Sequence, residues 1–322
     1  MKAVIHSRYG NPDVLQVTTL DRPVPRKNEV LVRVKAAGLD YGQWHLMAGR
    51  PYVMRLAAGL TLPKQRVLGM DVSGVVEAVG AEVTRFKVGD EVFGASSRTF
   101  AEFTCASEDQ LCRKPEHLGF EQAAAAISGV TALIGLRDVA KMQPGQSVCV
   151  IGAGGGVGSW AVQFARHFGA HVTAVCSTSK VEFVRSLGAA SVIDYTKLPL
   201  PTDGRFDVIL DLAGNRPLRV LRRALAPRGT LVLGGGEGGD RFFGDMGRTL
   251  RAALWSMVLK QRLAMLVGFV KPEPLQALAD ILGRPGVTPA VDRVFPLEQA
   301  ADAMRALVSG QVRGKLVLRV AA

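Results

Sequence analysis

Cysteine is scarce in this chain of 322 residues: there are four, Cys105, Cys112, Cys149 and Cys176, and none stands in a Cys-x-x-Cys pair. So few thiols cannot staple a chain this long, which excludes a disulfide-framed fold and favours a reducing compartment. Aromatic residues are also sparse, at 6%, which argues against a base-stacking platform and against nucleic acid as a partner. Long hydrophobic runs are missing. The most apolar long segment, Leu250 to Val270, is broken by Arg251, Lys260 and Arg262, each costing roughly 3 kcal/mol at a bilayer centre. It is no transmembrane span. The opening MKAVIHSRYG has neither an apolar stretch nor an Arg/Ser-rich amphipathic run, so the expected location is the cytoplasm. Acid is short as well: 28 Asp and Glu face 40 Lys and Arg, a formal balance of +12.

What is present is a globular composition, 48% hydrophobic and 21% charged, too apolar for disorder and long enough for two domains. Residues 1–124 read as β-rich, with short runs such as Leu31 to Val34, Val72 to Val79 and Glu91 to Phe93 between Gly, Pro and Asp turns. From about 146 the rhythm becomes strand, Gly-rich turn, helix, strand. That alternation implies a parallel sheet covered on both faces, an α/β unit over 125–267. After 268 the pattern is mixed: helices over 275–282 and 297–307, and a last strand over 315–320. Leu250 to Val270 is read as one apolar helix with scattered cations.

Glycine is in surplus, with 36 residues against a usual share of about 7%. Ten of them form two clusters, Gly152/154/155/156/158 and Gly234/235/236/238/239, each following an apolar strand. The first lies between a strand and a helix, where a backbone without side chains can approach a pyrophosphate at the helix N-terminus. Gly155, Gly156 and Val157 are the residues expected to contact it; a tight turn without ligand is the plain alternative. About 20 residues on, where NAD sites place an acid, the chain reads Cys176-Ser177-Thr178-Ser179-Lys180. Three hydroxyls and a cation suit a 2′-phosphate, so the expected cofactor is NADPH, although Lys180 would also serve as an ordinary solvated first-turn lysine. Gly234 and Gly235 are expected on the nicotinamide side.

With these residues in view, the chain resembles the medium-chain dehydrogenase/reductase superfamily, in its zinc-independent quinone oxidoreductase-like branch. Five stretches carry the likeness: Ala36-Ala37-Gly38-Leu39-Asp40; Leu68-Gly69-Met70-Asp71 running on to Gly80; Gly89-Asp90-Glu91-Val92-Phe93-Gly94; Gln143-Pro144-Gly145-Gln146 leading to the glycine loop and Gln163; and Gly314-Lys315-Leu316-Val317-Leu318. The resemblance implies a GroES-like β-barrel domain of residues 1–124 and 268–322, joined to a Rossmann domain, 125–267, with a doubly wound parallel sheet. It also implies that no metal is used. Zinc relatives carry Cys where this chain has Asp40, His-Glu where it has Met70-Asp71, and Cys where it has Ser128, and Cys105 with Cys112 cannot supply a four-thiolate site. His167 and His171 are separated by Gly169, so they need not share a helix face.

Without a Lewis acid, the chemistry left is hydride delivery from NADPH to an acceptor that is already electrophilic, a quinone or an α,β-unsaturated carbonyl. The substrate expected is small and apolar. The resemblance places Asp40 beside the nicotinamide, and Asp40 and Tyr41 are the catalytic candidates. A carboxylate that caps a turn, and a tyrosine that lines a pocket, compete with those roles. Trp44, Tyr52, Met54 and Ser128 are expected to wall the substrate pocket, and Thr131 to meet the cofactor. Family likeness assigns Tyr195 to the adenosine end and Asn215 to the nicotinamide end; a strand-end tyrosine and a helix N-cap are the plain alternatives. A protein that binds NADPH for a structural, membrane-associated or nucleic-acid-binding role is the competing function.

The charge is uneven. Residues 216–262 hold ten Lys and Arg against Glu237, Asp240 and Asp245. The basic, apolar segment 240–270 is open to four placements: a solvated face, a cover over the active site, a subunit contact in a homodimer, or a peripheral contact with an anionic membrane.

Overall fold

The computed structural model describes residues 1–235, 239–268 and 270–320. Gly236 and Gly238 of the second glycine cluster therefore lie outside the described residues. The chain forms two compact units, 1–127 with 270–322, and 128–269.

The first unit begins with β1 (Lys2–His6), β2 (Leu15–Thr19) and β3 (Glu29–Leu39). Helices α1 (Tyr41–Ala48) and α2 (Arg55–Ala58) follow, then β4 (Asp71–Val79), β5 (Glu91–Ala95), β6 (Phe103–Ser107), β7 (Leu111–Arg113) and α3 (Phe120–Ala125). The second unit holds α4 (Ser128–Leu133), β8 (Ser147–Ile151), α5 (Gly156–His167), β9 (His171–Cys176), α6 (Val181–Ser186), β10 (Ser191–Asp194), β11 (Phe206–Asp211), α7 (Leu218–Ala224), β12 (Leu225–Leu233), α8 (Met246–Val258) and β13 (Arg262–Met265). The chain then returns to the first unit with α9 (Pro272–Leu282), β14 (Val291–Pro296), α10 (Ala300–Val308) and β15 (Lys315–Arg319).

In the first unit a seven-stranded sheet runs β14-β15-β3-β4-β5-β7, with β6 also pairing β3. Its pairings are antiparallel apart from β14 with β15. The long β3 holds it together, because its eleven residues pair with β15, β4 and β6. Inward-facing Val30, Val32, Val34 and Leu39 meet Met304, Leu316 and Leu318 in one buried cluster, each such aliphatic side chain contributing about 1.5–3 kcal/mol by leaving water. This is the GroES-like unit.

In the second unit six strands run β10-β9-β8-β11-β12-β13, and every pairing is parallel. Counted within the unit the order is 3-2-1-4-5-6, the doubly wound Rossmann arrangement. The central strand β8 is a continuous apolar run, Val148 to Ile151, buried throughout. A strand covered on both faces needs that pattern rather than alternation. Successive crossovers leave β8 in opposite directions, so the carboxyl ends of β8 and β11 diverge and open a crevice there.

One expectation is corrected. Leu250 to Val270 is not a single helix: α8 stops at Val258, and Arg262–Met265 forms β13, the outermost strand beside β12. A run of mixed apolar and basic residues has no clear period, and only pairing with Thr230 to Leu233 decides for strand. Outward from the sheet, α8 exposes Leu250, Leu254, Met257 and Val258. Among the described residues no helix is long and apolar enough to cross a membrane.

Candidate functional site

The carboxyl end of β8 carries the glycine loop. After Ile151 the chain turns at Gly152 (φ +81°), and Gly155 caps α5. A side chain at position 158 would bring its Cβ to 2.1 Å from the Gly152 carbonyl oxygen, so only glycine lets the helix close on the turn. The first N–H groups of an α-helix have no intrahelical acceptors, and the first turn of α5 carries no acidic residue. An anion placed there meets aligned donors and the positive end of the helix dipole.

Lys180 lies across this loop: a Cβ at Gly154 would meet its Cδ at 2.6 Å. A short 3₁₀ turn, Thr178–Lys180, brings it there from the end of β9, and the Ser177 and Ser179 hydroxyls stand 3.4 Å apart in the same turn. Thr178 differs. Its hydroxyl donates to Asp194 Oδ2 at 2.6 Å and lies 2.9 Å from Thr196 Oγ1. The reading of a phosphate site without a neighbouring acid is thereby corrected, because Asp194 ends the adjacent strand β10, opposite Cys176. Hydrogen bonds from Thr178 and Thr196 hold that carboxyl below the usual carboxylate range and occupy both of its oxygens. Tyr195, exposed at the surface, follows directly, and the Arg216 guanidinium sits 5.8 Å from its ring centroid. Arg216 adds a second cation here, which sequence reading assigned only to a general basic patch; its place after Asn215 was the available signal.

At the end of β11, Asp211 is fully buried. Its Oδ1 accepts from the Gly214 N–H at 3.2 Å, and its Oδ2 pairs with Arg248 of α8. This fixes the turn that carries Asn215. Helix α7 is capped by Pro217, so Asn215 is not its N-cap; its side-chain oxygen accepts from Arg216 at 3.5 Å. Gly235 presses on the same turn, where a Cβ would meet the Leu212 carbonyl oxygen at 2.1 Å. Gly234 lies against Leu266, and Thr131 on α4 lies against Gly268. Ser128, the first residue of α4, is buried. The loop, Lys180 and Tyr195 thus gather at one end of the strands with Asn215 and Gly235. His167 ends α5 and His171 opens β9, so the two histidines belong to different elements.

In the first unit Asp40 caps α1, accepting from the Gln43 N–H at 3.2 Å. It also faces Lys315 Nζ at 3.3 Å, and the same ammonium lies 2.7 Å from Asp71 Oδ2. Sequence reading missed this triad, since Lys315 was noted only as part of a closing motif. Gly38 makes room for it: a Cβ there would stand 2.5 Å from Asp71 Oδ2. Burial pushes the Asp71 carboxyl up to about 6; Lys315 pulls it down and Asp40 pushes it further up. Burial alone would lower the Lys315 ammonium, but the two carboxylates more than offset this and leave it raised. Near neutrality the centre holds an ammonium between two carboxylates.

Tyr41 donates its hydroxyl to the Leu307 carbonyl at 3.2 Å and meets Trp44 edge-on with centroids 6.4 Å apart. Both pack against the core of this unit. Tyr52 and Met54 are half-buried, and Arg55 stacks over Tyr52 at 4.8 Å.

Two family models match the chain: an alcohol dehydrogenase GroES-like domain over residues 26–166 and a zinc-binding dehydrogenase domain over 187–318. A chloroplast envelope quinone oxidoreductase homolog of Arabidopsis thaliana is 30% identical, with 99% of this chain and 98% of that one covered. Among solved structures, an NAD-dependent alcohol dehydrogenase is 30% identical with a TM-score of 0.86, both chains covered fully at 100%. A mycobacterial protein in complex with NADPH is 26% identical with a TM-score of 0.83, covering 99% of this chain and 100% of that one. The chain belongs to the medium-chain dehydrogenase/reductase superfamily, in its quinone oxidoreductase-like branch. It is an oxidoreductase that works with a nicotinamide cofactor.

One of the two family models is described as zinc-binding. At two of the positions where the resemblance puts zinc ligands in other relatives, the Asp40 and Asp71 carboxylates share one ammonium, that of Lys315. Among the described residues no group of three or more His, Cys, Asp or Glu could hold a metal.

Breaking the triad has a pH signature. Asp71 is raised from 3.8 to about 6, so its own contribution favours folding at low pH and is lost as pH rises through about 6, where Lys315 becomes necessary. Replacing Lys315 with Met is expected to cost about 3–5 kcal/mol near neutrality, shrinking markedly towards pH 4 as the Asp71 carboxyl protonates. Urea unfolding at both pH values measures it. Equal losses at the two would show that Lys315 acts through packing alone.

Proposed function

We propose that the protein transfers hydride from NADPH to a quinone or to the C=C bond of an α,β-unsaturated carbonyl, without zinc. The single observation that carries the cofactor choice is Lys180 lying over the glycine loop, in a turn that also presents the Ser177 and Ser179 hydroxyls. A 2′-phosphate is a dianion near neutrality, and charge-assisted bonds from an ammonium and hydroxyls suit it. Arg216 beside Tyr195 strengthens the positive potential at the adenosine end. The acid on the neighbouring strand, Asp194, is occupied by Thr178 and Thr196.

When bound, the nicotinamide supplies a hydride. The chain supplies position and electrostatics. The N–H groups at Gly156 and Val157, in the first turn of α5, would hold the pyrophosphate, with Gly155 beside them donating to the Gly152 carbonyl, while Asn215, Gly234, Gly235 and Thr131 would bound the nicotinamide side. Within the first unit Trp44, Tyr52 and Met54 offer apolar wall, which suits a small, apolar electrophile. Hydride attack on an enone leaves an enolate that must gain a proton. Tyr41 already donates to Leu307, so it belongs to the wall, and water is the proton source. Asp40, held by Lys315, caps α1 and fixes the aromatic residues of that helix.

Two copies of the chain are proposed to associate through the outer edge of β13, the last strand of the sheet among the described residues, beside the exposed apolar side chains of α8. An outermost strand with adjacent apolar surface is a template for a second strand.

Lys180→Glu is expected to weaken NADPH binding by about two orders of magnitude, a loss of roughly 3 kcal/mol, with little change for NADH. Fluorescence titration of both cofactors measures it, and equal losses would remove the 2′-phosphate assignment. NADPH with a panel of quinones and enones should lose absorbance of the reduced nicotinamide, at a rate unchanged by a strong chelator. Tight NADPH binding with no turnover on any acceptor would favour the non-catalytic role. Light scattering should give the mass of two chains; the mass of one would overturn the β13 pairing.

A further inference from the structure

The sheet of the second unit has two ends. The cofactor loop belongs to the carboxyl ends of the strands. At the opposite end, where β12 and β13 begin and where α7 and α8 finish, lies a depression of about 400 Å³ lined by Arg219, Arg222, Arg223, Lys260 and Gln261, with no carboxylate in its lining. Among the described residues none of these four cations has a carboxylate within ion-pair distance. Elsewhere the chain pairs its cations freely, as at Arg185 with Glu182 and Arg305 with Asp302.

Basic residues in the last turn of a helix often serve its unsatisfied carbonyls, and Arg222 and Arg223 do occupy the last turn of α7. Here that task falls to Gln261. Its Nε2 lies 2.9 Å from the Arg222 carbonyl, 3.3 Å from that of Leu225 and 3.2 Å from that of Ala226. The same amide's oxygen accepts from Arg222 Nε at 3.3 Å, and the guanidinium stacks 5.1 Å from the Trp255 ring centroid. Arg222 is therefore held from one side, with its fork preorganised, while Arg219, Arg223 and Lys260 remain exposed around it. Bringing four like charges together is unfavourable without a counter-charge, and planar guanidinium forks match phosphate oxygens in two-point contacts.

We propose that this depression is a second anion site, separate from the dinucleotide loop, that takes a phosphate ester or diphosphate group. Two sources can present that chemistry, a soluble diphosphate or a phospholipid headgroup.

Trp255 is a local reporter. In the full-length protein, titration with inorganic pyrophosphate should produce a saturable fluorescence change that disappears in Trp255→Phe. The midpoint should shift by at least about tenfold in Arg223→Gln/Lys260→Gln, whose exposed side chains leave the fold intact, and stay unchanged in Lys180→Glu. A parallel titration uses phosphatidylcholine vesicles with and without phosphatidic acid. A Trp255 response to acidic vesicles as well as to pyrophosphate supports the site with a lipid headgroup as its source; a response to pyrophosphate alone supports it with a soluble diphosphate. No Trp255-dependent response to either probe overturns the proposal. So does a response that Lys180→Glu abolishes or that Arg223→Gln/Lys260→Gln leaves unaltered. Hydride transfer is not involved in any of these readouts, so their failure is distinct from failure of the catalytic reading.

Discussion

One buried ammonium organises the first unit. Lys315 opens the last strand, pairs with Asp71 at the start of β4 and with Asp40 at the end of β3, and so joins three strand ends from distant parts of the chain. Such a centre adds little net stability over apolar packing, but it is intolerant of losing one partner. Its value is register. With β15 aligned so that Leu316 faces Leu39, the ammonium can sit only between those two carboxylates, and a slip by one residue would bury the charge unpaired. The same arrangement sets the start of α1, because Asp40 both pairs with Lys315 and caps the helix. Tyr41 and Trp44 inherit their positions from it.

The second unit depends on close backbone approach rather than on charge. Gly158 against Gly152 and Gly235 against Leu212 are contacts that any side chain would block. They bring the N-terminus of α5 and the ends of β11 and β12 to the crevice where the strand order reverses. Positive side chains then divide between two ends of the sheet. Lys180 and Arg216 stand by the cofactor loop, and Arg219, Arg222, Arg223 and Lys260 surround the depression at the far end. Part of the charge excess of the chain is thus concentrated in two local features.

Much of the fold was legible along the chain. Val148 to Ile151, the glycine loop and the apolar period of α5 are local signals, and their order alone identifies strand, turn and helix. Lys180 was legible for the same reason, being a fixed distance beyond the loop. Asp194 was not, because it reaches Thr178 only through the pairing of β10 with β9. The segment after Leu250 misled because basic residues interrupt its apolar pattern, and neither period wins without a neighbouring strand. The helix-cap alternative for Asn215 is removed only by the three-dimensional structure, in which α7 starts beyond Pro217 and Asp211 pins the turn before it.

The sequence by itself determined the two-part architecture, the parallel sheet and the place of the dinucleotide loop, because these follow from periodicity and from glycine at sites of close contact. Only the tertiary structure decided which charges meet. Whether Asp40 is a bare carboxylate or one held by Lys315, whether Asp194 opposes a phosphate or serves Thr178, and whether Arg222 caps its own helix or is freed by Gln261 all turn on residues far apart in the chain. Electrostatic energy depends on distance through space and on burial, and neither can be read from separation along the chain.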